Sequence, residues 1–427
     1  MATQHKIISV TGTKGKTTTV AVIADVLRAL GNQVLKVDTT GHFINGERRS
    51  TLEDSKAIWG LVPSVCPGRY LYEFNLDPKK YEDAVAVLEC SLGSSAPTMG
   101  LGYRYHTVGV FLNVFEDHLG SSERIKSKRD IAIAKEFVFS RIDQNQHGVA
   151  VFNADDELVV DRLSVLADKP SISLLPVGLE FSHFDAAAHL DAGGLVVTMN
   201  AQQQVVLRSK QHDIVLCDLK ALPWTFDAAF LPAIWNIMSA AAAIVAQYDL
   251  TVPAGLRKAL EAVRLDPYGG RLTVLRNSDN VTIIADYAHE KQSLAQIGQL
   301  AKRTATGKTV GVVRLAHDRT DQLLQETGHV IAQSFDEVIV YDKIDGHWRK
   351  PQIKKLRFPQ IVGRTSEIVA QAAAERNPQV TRIIREDEAL AHAAKIARPG
   401  DVVVHIVNDD IRQSVQFIKD SFNAEFV

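Results

Sequence analysis

The sequence predicts an α/β protein of two domains: residues 1–267 with a mostly parallel sheet, and residues 268–427 with a Rossmann-like fold. Three observations carry this. The β-branched run 6–11 leads through glycines into 17–30, whose apolar residues recur at helical spacing. Further apolar runs alternate with polar or helical stretches, the pattern of a parallel sheet covered by helices. At Asp266-Pro267-Tyr268-Gly269-Gly270, Pro and two glycines interrupt that pattern before new strands begin. A chain of 427 residues, at about 150 per domain, has length for both.

In the first domain, strands are expected at 34–37, 84–88, 107–114 and 149–152. Within 171–220 the period shortens to GLVVTMN, QQVVLRS and DIVLCDL between Gly, Asn and Gln turns, which predicts small antiparallel hairpins in an inserted β layer. Residues 230–248 read as a long Ala-rich helix, and 253–263 as a second helix with Pro in its first turn. In the second domain, strands are expected at 272–275, 281–286, 309–313, 337–341, 381–384 and 402–406, with helices between.

Lys and Arg number 48 against 50 Asp and Glu, a formal charge of -2, so no strong field gathers nucleic acid or an anionic membrane. Apolar residues at 46% and charged ones at 23% fit a chain that folds alone. Cys66, Cys90 and Cys217 are far apart and lack C-x-x-C spacing, which argues against a disulfide or zinc framework and fits a reducing cytosol. No apolar run reaches the ~18 residues of a membrane span, and no signal-peptide stretch opens the sequence. The expectation is a cytoplasmic protein without nucleic-acid or membrane partners.

Gly12-Thr13-Lys14-Gly15-Lys16-Thr17-Thr18 lies between strand and helix. Glycines there let backbone amides face a phosphate, the helix N-terminus adds a favourable field, Lys16 brings a mobile positive charge, and Thr17 would hold a magnesium ion. The general phosphate-loop pattern places Gly five residues before Gly15, where this sequence has Val10. A purely structural glycine turn is the alternative, and the strand-turn-helix context favours nucleotide phosphates.

Other segments join it in order: Thr39-Thr40-Gly41, Leu88-Glu89, Asn113-Val-Phe-Glu-Asp117-His118-Leu119-Gly120, Asn153-Ala-Asp-Asp156, Asn236 opening an Ala-rich helix, Gly270-Arg271 and Asp286-Tyr-Ala-His289. In this sequence of motifs the chain resembles the Mur ligase family over nearly all its length. Within it, Thr39 to Gly41, Glu89 and Asp117 to Gly120 look most like the carboxy-terminal, Mur ligase-like region of cyanophycin synthetases. Residues 113–118 and Asp318-Arg319-Thr320-Asp321 are also similar to poly-γ-glutamate synthases.

The resemblance implies a central ATPase domain, a Rossmann-like domain that closes over it, and acyl-phosphate chemistry. A carboxylate is a poor acyl donor because its leaving group would be oxide. ATP converts it to an acyl phosphate, and an amine then displaces phosphate. Magnesium beside Lys16 would neutralise the repulsion between the two anions. By resemblance Glu89 and His118 hold magnesium, with Asp117 orienting His118. Lys135 stands where the family often carries a carbamylated lysine, with Lys126 and Lys128 as competitors. Asn236 would hydrogen-bond adenine, although Ser239 replaces the second Asn of the family's Asn-x-x-Asn pattern; a helix cap is the alternative. Arg271 would contact nucleotide phosphates and Asp286 the ribose, unless both form a structural ion pair.

His289-Glu290-Lys291 departs from the family pattern, and His317 replaces a Gly before Asp318-Arg319. Arg319 would clamp a substrate carboxylate, with Asp318 and Asp321 receiving a cationic amino acid; a capped helix start is the alternative. The stretch 41–81, with Trp59, Tyr70 and Tyr72, is read either as shaping the acceptor site or as a surface insertion.

The phosphate loop falls within the first twenty residues, so the expectation is a ligase unit without the amino-terminal domains of peptidoglycan Mur ligases or the ATP-grasp portion of cyanophycin synthetase. The expected activity is an ATP- and magnesium-dependent ligase joining an amino-acid amine to a carboxylate-bearing amino acid or peptide. It would act as a homo-oligomer or beside a partner enzyme. A polymerising γ-glutamyl ligase and a non-catalytic nucleotide-binding partner subunit are the competing readings.

Overall fold

Ile7, Ile8 and Val10 are buried, and strand β1 (Lys6–Thr11) accordingly sits inside a sheet, with parallel partners on both sides. The computed structural model describes residues 6–59, 62–72, 84–91, 101–116, 125–269, 272–317, 319–344 and 361–427. They divide into two compact units, 1–264 and 265–427.

The first unit holds an 11-stranded sheet. Its further strands are β2 (Val34–Asp38), β3 (Gly41–Ile44), β4 (Glu47–Thr51), β5 (Val85–Glu89), β6 (Val108–Phe111), β7 (Val149–Asn153), β8 (Ser173–Val177), β9 (Val196–Met199), β10 (Gln204–Arg208) and β11 (Asp213–Asp218). The order is β11-β10-β9-β8-β7-β6-β1-β5-β2-β3-β4. Strands from β9 to β2 run parallel, while β10 and β11 on one side and β3 and β4 on the other are antiparallel. The predicted hairpins within 171–220 therefore exist, but they extend the main sheet and form no separate layer. The hairpin β3–β4 was not foreseen, because ERRST at β4 carries charge where an apolar run was sought.

Helix α1 (Lys16–Ala29) starts at Gly15 and ends where Gly31 adopts φ 91. There Gly31 N donates to Arg28 O and Asn32 N to Leu27 O, the closing bonds of a Schellman turn. The Ala-rich helix runs Leu231–Gln247 with Pro232 in its first turn, packs on α1 and is buried along most of its length. The following helix is Leu256–Glu261, shorter than the 253–263 expected. Gly255 (φ 83) starts it, and Pro253 lies in the turn before.

The second unit holds a 7-stranded sheet of β12 (Thr273–Arg276), β13 (Thr282–Asp286), β14 (Thr309–Val313), β15 (Glu337–Val340), β16 (Val380–Arg382), β17 (Val402–Ile406) and β18 (Glu425–Phe426). The order is β16-β15-β14-β17-β13-β12-β18, with β16 to β13 parallel and the last two antiparallel. Val310, Val312, Val403 and Ile283 centre its core. All three cysteines are buried and free. Among the described residues, no helix is long and apolar enough to cross a membrane.

His106 is fully buried, its Nε2 donating to the Val138 carbonyl at 2.8 Å. Burial pushes its pKa from 6.5 down to about 4. The unfolded chain takes up this proton first as pH falls, so the folded state loses stability between pH 6.5 and about 4. Urea unfolding across that window should show His106→Gln with a shallower pH slope than the parent; equal slopes would show that His106 does not supply it.

Candidate active site

Because β5, β1 and β6 are adjacent and parallel, the segments that follow them emerge at one edge of the sheet: the glycine loop after β1, Glu89 at the end of β5, and Asn113 after β6. Val10 pairs with Glu89 and Thr11 with Phe111, which fixes their relative height.

Asn113 holds the loop. Its Oδ1 accepts from Lys14 N (2.9 Å) and Thr13 N (3.1 Å), and its Nδ2 donates to Lys14 O (3.1 Å). Thr13 Oγ1 accepts from Phe115 N at 3.0 Å. Asn113 is in turn steadied by its neighbours: Asn153 Nδ2 donates to Leu112 O at 3.0 Å, and Asp156 Oδ2 accepts from Val114 N at 2.8 Å. Burial raises the Asp156 carboxyl above its usual range. Sequence reasoning noted these segments without giving Asn113, Asn153 or Asp156 a role. The usable signal is an Asn or Asp just past a buried strand, where a short side chain can bond to neighbouring backbone.

Lys16 opens α1 and folds back, its Nζ donating to Gly12 O and Thr13 O at 3.0 Å each. Thr17 Oγ1 donates to Glu89 Oε2 at 2.9 Å. Glu89 is 1% exposed and also accepts from Thr39 N (3.1 Å), Thr39 Oγ1 (2.9 Å) and Ser91 Oγ (3.1 Å). The predicted metal residues Thr17 and Glu89 are thus in contact. Thr39, quoted from the sequence only as part of a motif, anchors the carboxylate. A hydroxyl and a carboxylate are hard oxygen donors, which suits Mg2+, an ion usually bound through one or two protein ligands with phosphates and water completing its shell. Among the described residues, no cluster of three or more His, Cys, Asp or Glu forms a metal site by itself.

Lys135 closes helix α2 (Lys128–Lys135), is 5% exposed, and its charge is felt at the Cys90 thiol next to Glu89. Burial nevertheless drives that thiol up to about 12, so Cys90 is inert at neutral pH. Lys126 and Lys128 are exposed, and Lys128 pairs with Glu116 at 3.6 Å. His118 and Asp117 lie outside the described residues, as do Gly270, Arg271 and Asp318. Tyr70 is buried and donates to Ser55 Oγ at 2.7 Å, whereas Tyr72 is exposed.

Asn236 lies inside its helix and not at the start, which removes the capping alternative. Its Oδ1 accepts a long bond from Thr19 Oγ1, at 3.4 Å.

In the second unit, Asp286 ends β13 and accepts from Leu272 N at 3.0 Å. Glu290 caps the next helix through Ser293 N and Gln292 N, and Lys291 pairs with Glu326 at 2.7 Å. Arg319 is buried, while Thr320 caps the helix Asp321–Ser334 and Asp321 pairs with Arg364, so these two residues serve the helix start. At the same strand ends, Asp409 meets Tyr287 OH (2.7 Å) and Lys343 Nζ (2.9 Å). Burial pushes the Asp409 carboxyl up, but Lys343, Tyr287 and Arg314 outweigh it and hold it at about 2.

Sequence comparison matches residues 10–191 to the Mur ligase middle domain and residues 270–406 to the Mur ligase, glutamate ligase domain. The cyanophycin synthetase of Nostoc sp. is 28% identical over 97% of this chain and 42% of its own length. The chain thus spans less than half of that relative. The UDP-N-acetylmuramoyl-L-alanyl-D-glutamate–2,6-diaminopimelate ligase of Geobacillus kaustophilus is 25% identical, covering 93% of this chain and 72% of that protein. The structure of E. coli FolC in complex with ADP superposes with a TM-score of 0.66 at 17% identity, over 98% of this chain and 90% of that one.

Gly15 and Gly31 test the loop. Both have positive φ, 83 and 91, but a Cβ on Gly15 would stand 2.2 Å from Asn236 Oδ1, while nothing lies within 4 Å of one on Gly31. Gly31→Ala should cost only the backbone term of about 1–2 kcal/mol. Gly15→Ala should carry the same backbone cost and also crowd the Asn236 carboxamide, weakening ADP binding by calorimetry, and normal binding would show that the loop can reshape.

Proposed function

The chain belongs to the Mur ligase family, and from that premise we propose that it is an ATP-dependent ligase that forms an amide bond between a carboxylate and an amino-acid amine. The observation that carries the proposal is the meeting of the glycine loop, Thr17 and buried Glu89 at one sheet edge. In the reaction, a substrate carboxylate oxygen takes the γ-phosphoryl group of ATP and ADP leaves. The amine then attacks the acyl carbon, inorganic phosphate departs, and the amine's surplus proton passes to solvent or a nearby base.

Each residue has a task set by its chemistry. The amides at the head of α1 and the Lys16 ammonium bind the phosphates, once Lys16 leaves the carbonyls of Gly12 and Thr13. Thr17, Glu89 and His118 would hold Mg2+, which supplies charge neutralisation when bound. Lys135, which is buried and whose charge is felt at Cys90 next to Glu89, would adjust the charge of that centre, as the amine or as a carbamate. In the second unit we assign Arg319 to a substrate carboxylate, Asp286 to the ribose and Arg271 to the phosphates.

The test is phosphate release from ATP and magnesium across pairs of amino acids and short Asp- or Glu-containing peptides, with mass spectrometry of each positive mixture. Release that needs both partners, with a product one water lighter than their sum, is expected; a ladder of products would identify polymerisation. Lys16→Ala should abolish turnover while circular dichroism stays unchanged, because the side chain serves phosphate and not the core. Undiminished turnover by that variant would remove the assigned site.

A further inference from the structure

Part of the 41–81 stretch reaches the carboxylate end of the candidate site from behind. Residues 63–71 are mostly buried and are tied to chain on two sides, with Ser91 N donating to Ser64 O and Gly68 N to Leu101 O, each at 2.8 Å. They are packed into the unit and not laid on its surface. Ser64 is 0% exposed. The Glu89 carboxylate takes two bonds at each oxygen: Thr17 Oγ1 and Thr39 N at Oε2, Thr39 Oγ1 and Ser91 Oγ at Oε1. Both residues that donate to Oε1 lead back to Ser64. Its Oγ lies 3.2 Å from Thr39 Oγ1, and its carbonyl receives the Ser91 amide. Thr39 has one hydroxyl hydrogen, which goes to Glu89, so across the 3.2 Å contact it is Ser64 Oγ that donates. A hydroxyl that receives a hydrogen bond donates more strongly in its turn.

We infer that Ser64 is a positioning residue for the Glu89 carboxylate, acting through Thr39 and Ser91. By holding both of them it sets the rotation of the carboxylate, and with it the direction in which the oxygens meet a cation. The groups that hydrogen-bond to a metal-binding carboxylate tune its affinity, and Ser64 stands one step behind them. The ligand class is a hard divalent cation, Mg2+ or Mn2+, bound together with nucleotide phosphate. The inference rests on the assignment of Glu89 to the metal and is independent of the ligase reaction.

The experiment measures Mn2+ binding by electron paramagnetic resonance on the full chain with the non-hydrolysable ATP analogue AMPPNP, against AMPPNP alone. Calorimetry of AMPPNP in EDTA reports nucleotide binding without metal. The variants are Ser64→Ala, Ser64→Cys, Thr39→Val, the Ser64→Ala/Thr39→Val double, Glu89→Gln and Tyr70→Phe. The last removes a different buried bond of the same stretch, from Tyr70 OH to Ser55 Oγ at 2.7 Å. Thr39→Val should weaken Mn2+ binding about 10- to 100-fold. Ser64→Ala should weaken it about three- to tenfold, and Ser64→Cys, which keeps the shape but has only a weak donor, should also lose binding. AMPPNP binding in EDTA should not change. In the Thr39→Val background Ser64→Ala should cost little more, because the two act through one hydroxyl. Tyr70→Phe should bind Mn2+ as the parent does, even where its thermal melt is lower. Parent-like Mn2+ affinity in both Ser64 variants, or a matching loss in Tyr70→Phe, would overturn the inference. If Glu89→Gln binds Mn2+ as the parent does, the metal assignment falls and the inference with it. If Glu89→Gln loses Mn2+ while the Ser64 variants keep it, the inference alone is removed.

Discussion

Everything in the candidate site depends on β1 lying between β5 and β6 with all three strands parallel. Parallel neighbours end at the same edge, so the chain leaving each strand meets the chain leaving the others. The loop, Glu89 and Asn113 come from sequence positions up to 100 residues apart, as in the bond between Thr13 N and Asn113. Slipping one strand by a single residue would turn Glu89 to the opposite face and detach it from Thr17.

The polar groups at that edge are held by one another. Four donors hold Glu89, and three bonds of the Asn113 side chain tie it to Thr13 and Lys14. Buried polar atoms left without partners would cost stability, and here they restrain one another instead. Lys16 differs, because its bonds to two loop carbonyls are ones a phosphate can replace.

The α/β class and most strands were legible because buried parallel strands are continuous apolar runs, as in VAVLE at β5 and VVVHI at β17. The charged edge strand β4 was not, since a strand exposed on one side and at its end needs no apolar pattern. The helix beginning at 231 and the one beginning at 256 show the limits of end signals. Pro232 marks the first turn of the former, whereas Pro253 precedes the latter by a separate turn. In the site, Thr17 and Glu89, which the sequence groups together, are hydrogen-bonded to each other. The role of Asn113 was hidden because it works through backbone amides, and a motif names side chains. For Asn236, the sequence supplies its helix but not the neighbour against which it rests.

The antiparallel hairpins at both ends of the first sheet leave β1 with six strands on one side and four on the other. Fraying of a sheet begins at its rims, so amide hydrogens in β4 and β11 should exchange with solvent well before those of β1. The rims also carry charge suited to discouraging edge-to-edge aggregation, with Arg48 and Arg49 on β4 and Asp213 on β11. The hairpin at one rim is nevertheless tied inward at its turn, where Asn45 N donates to Val34 O and Asn45 Oδ1 accepts from Val34 N, both at 2.8 Å, so a label placed on Asn45 would reach β2.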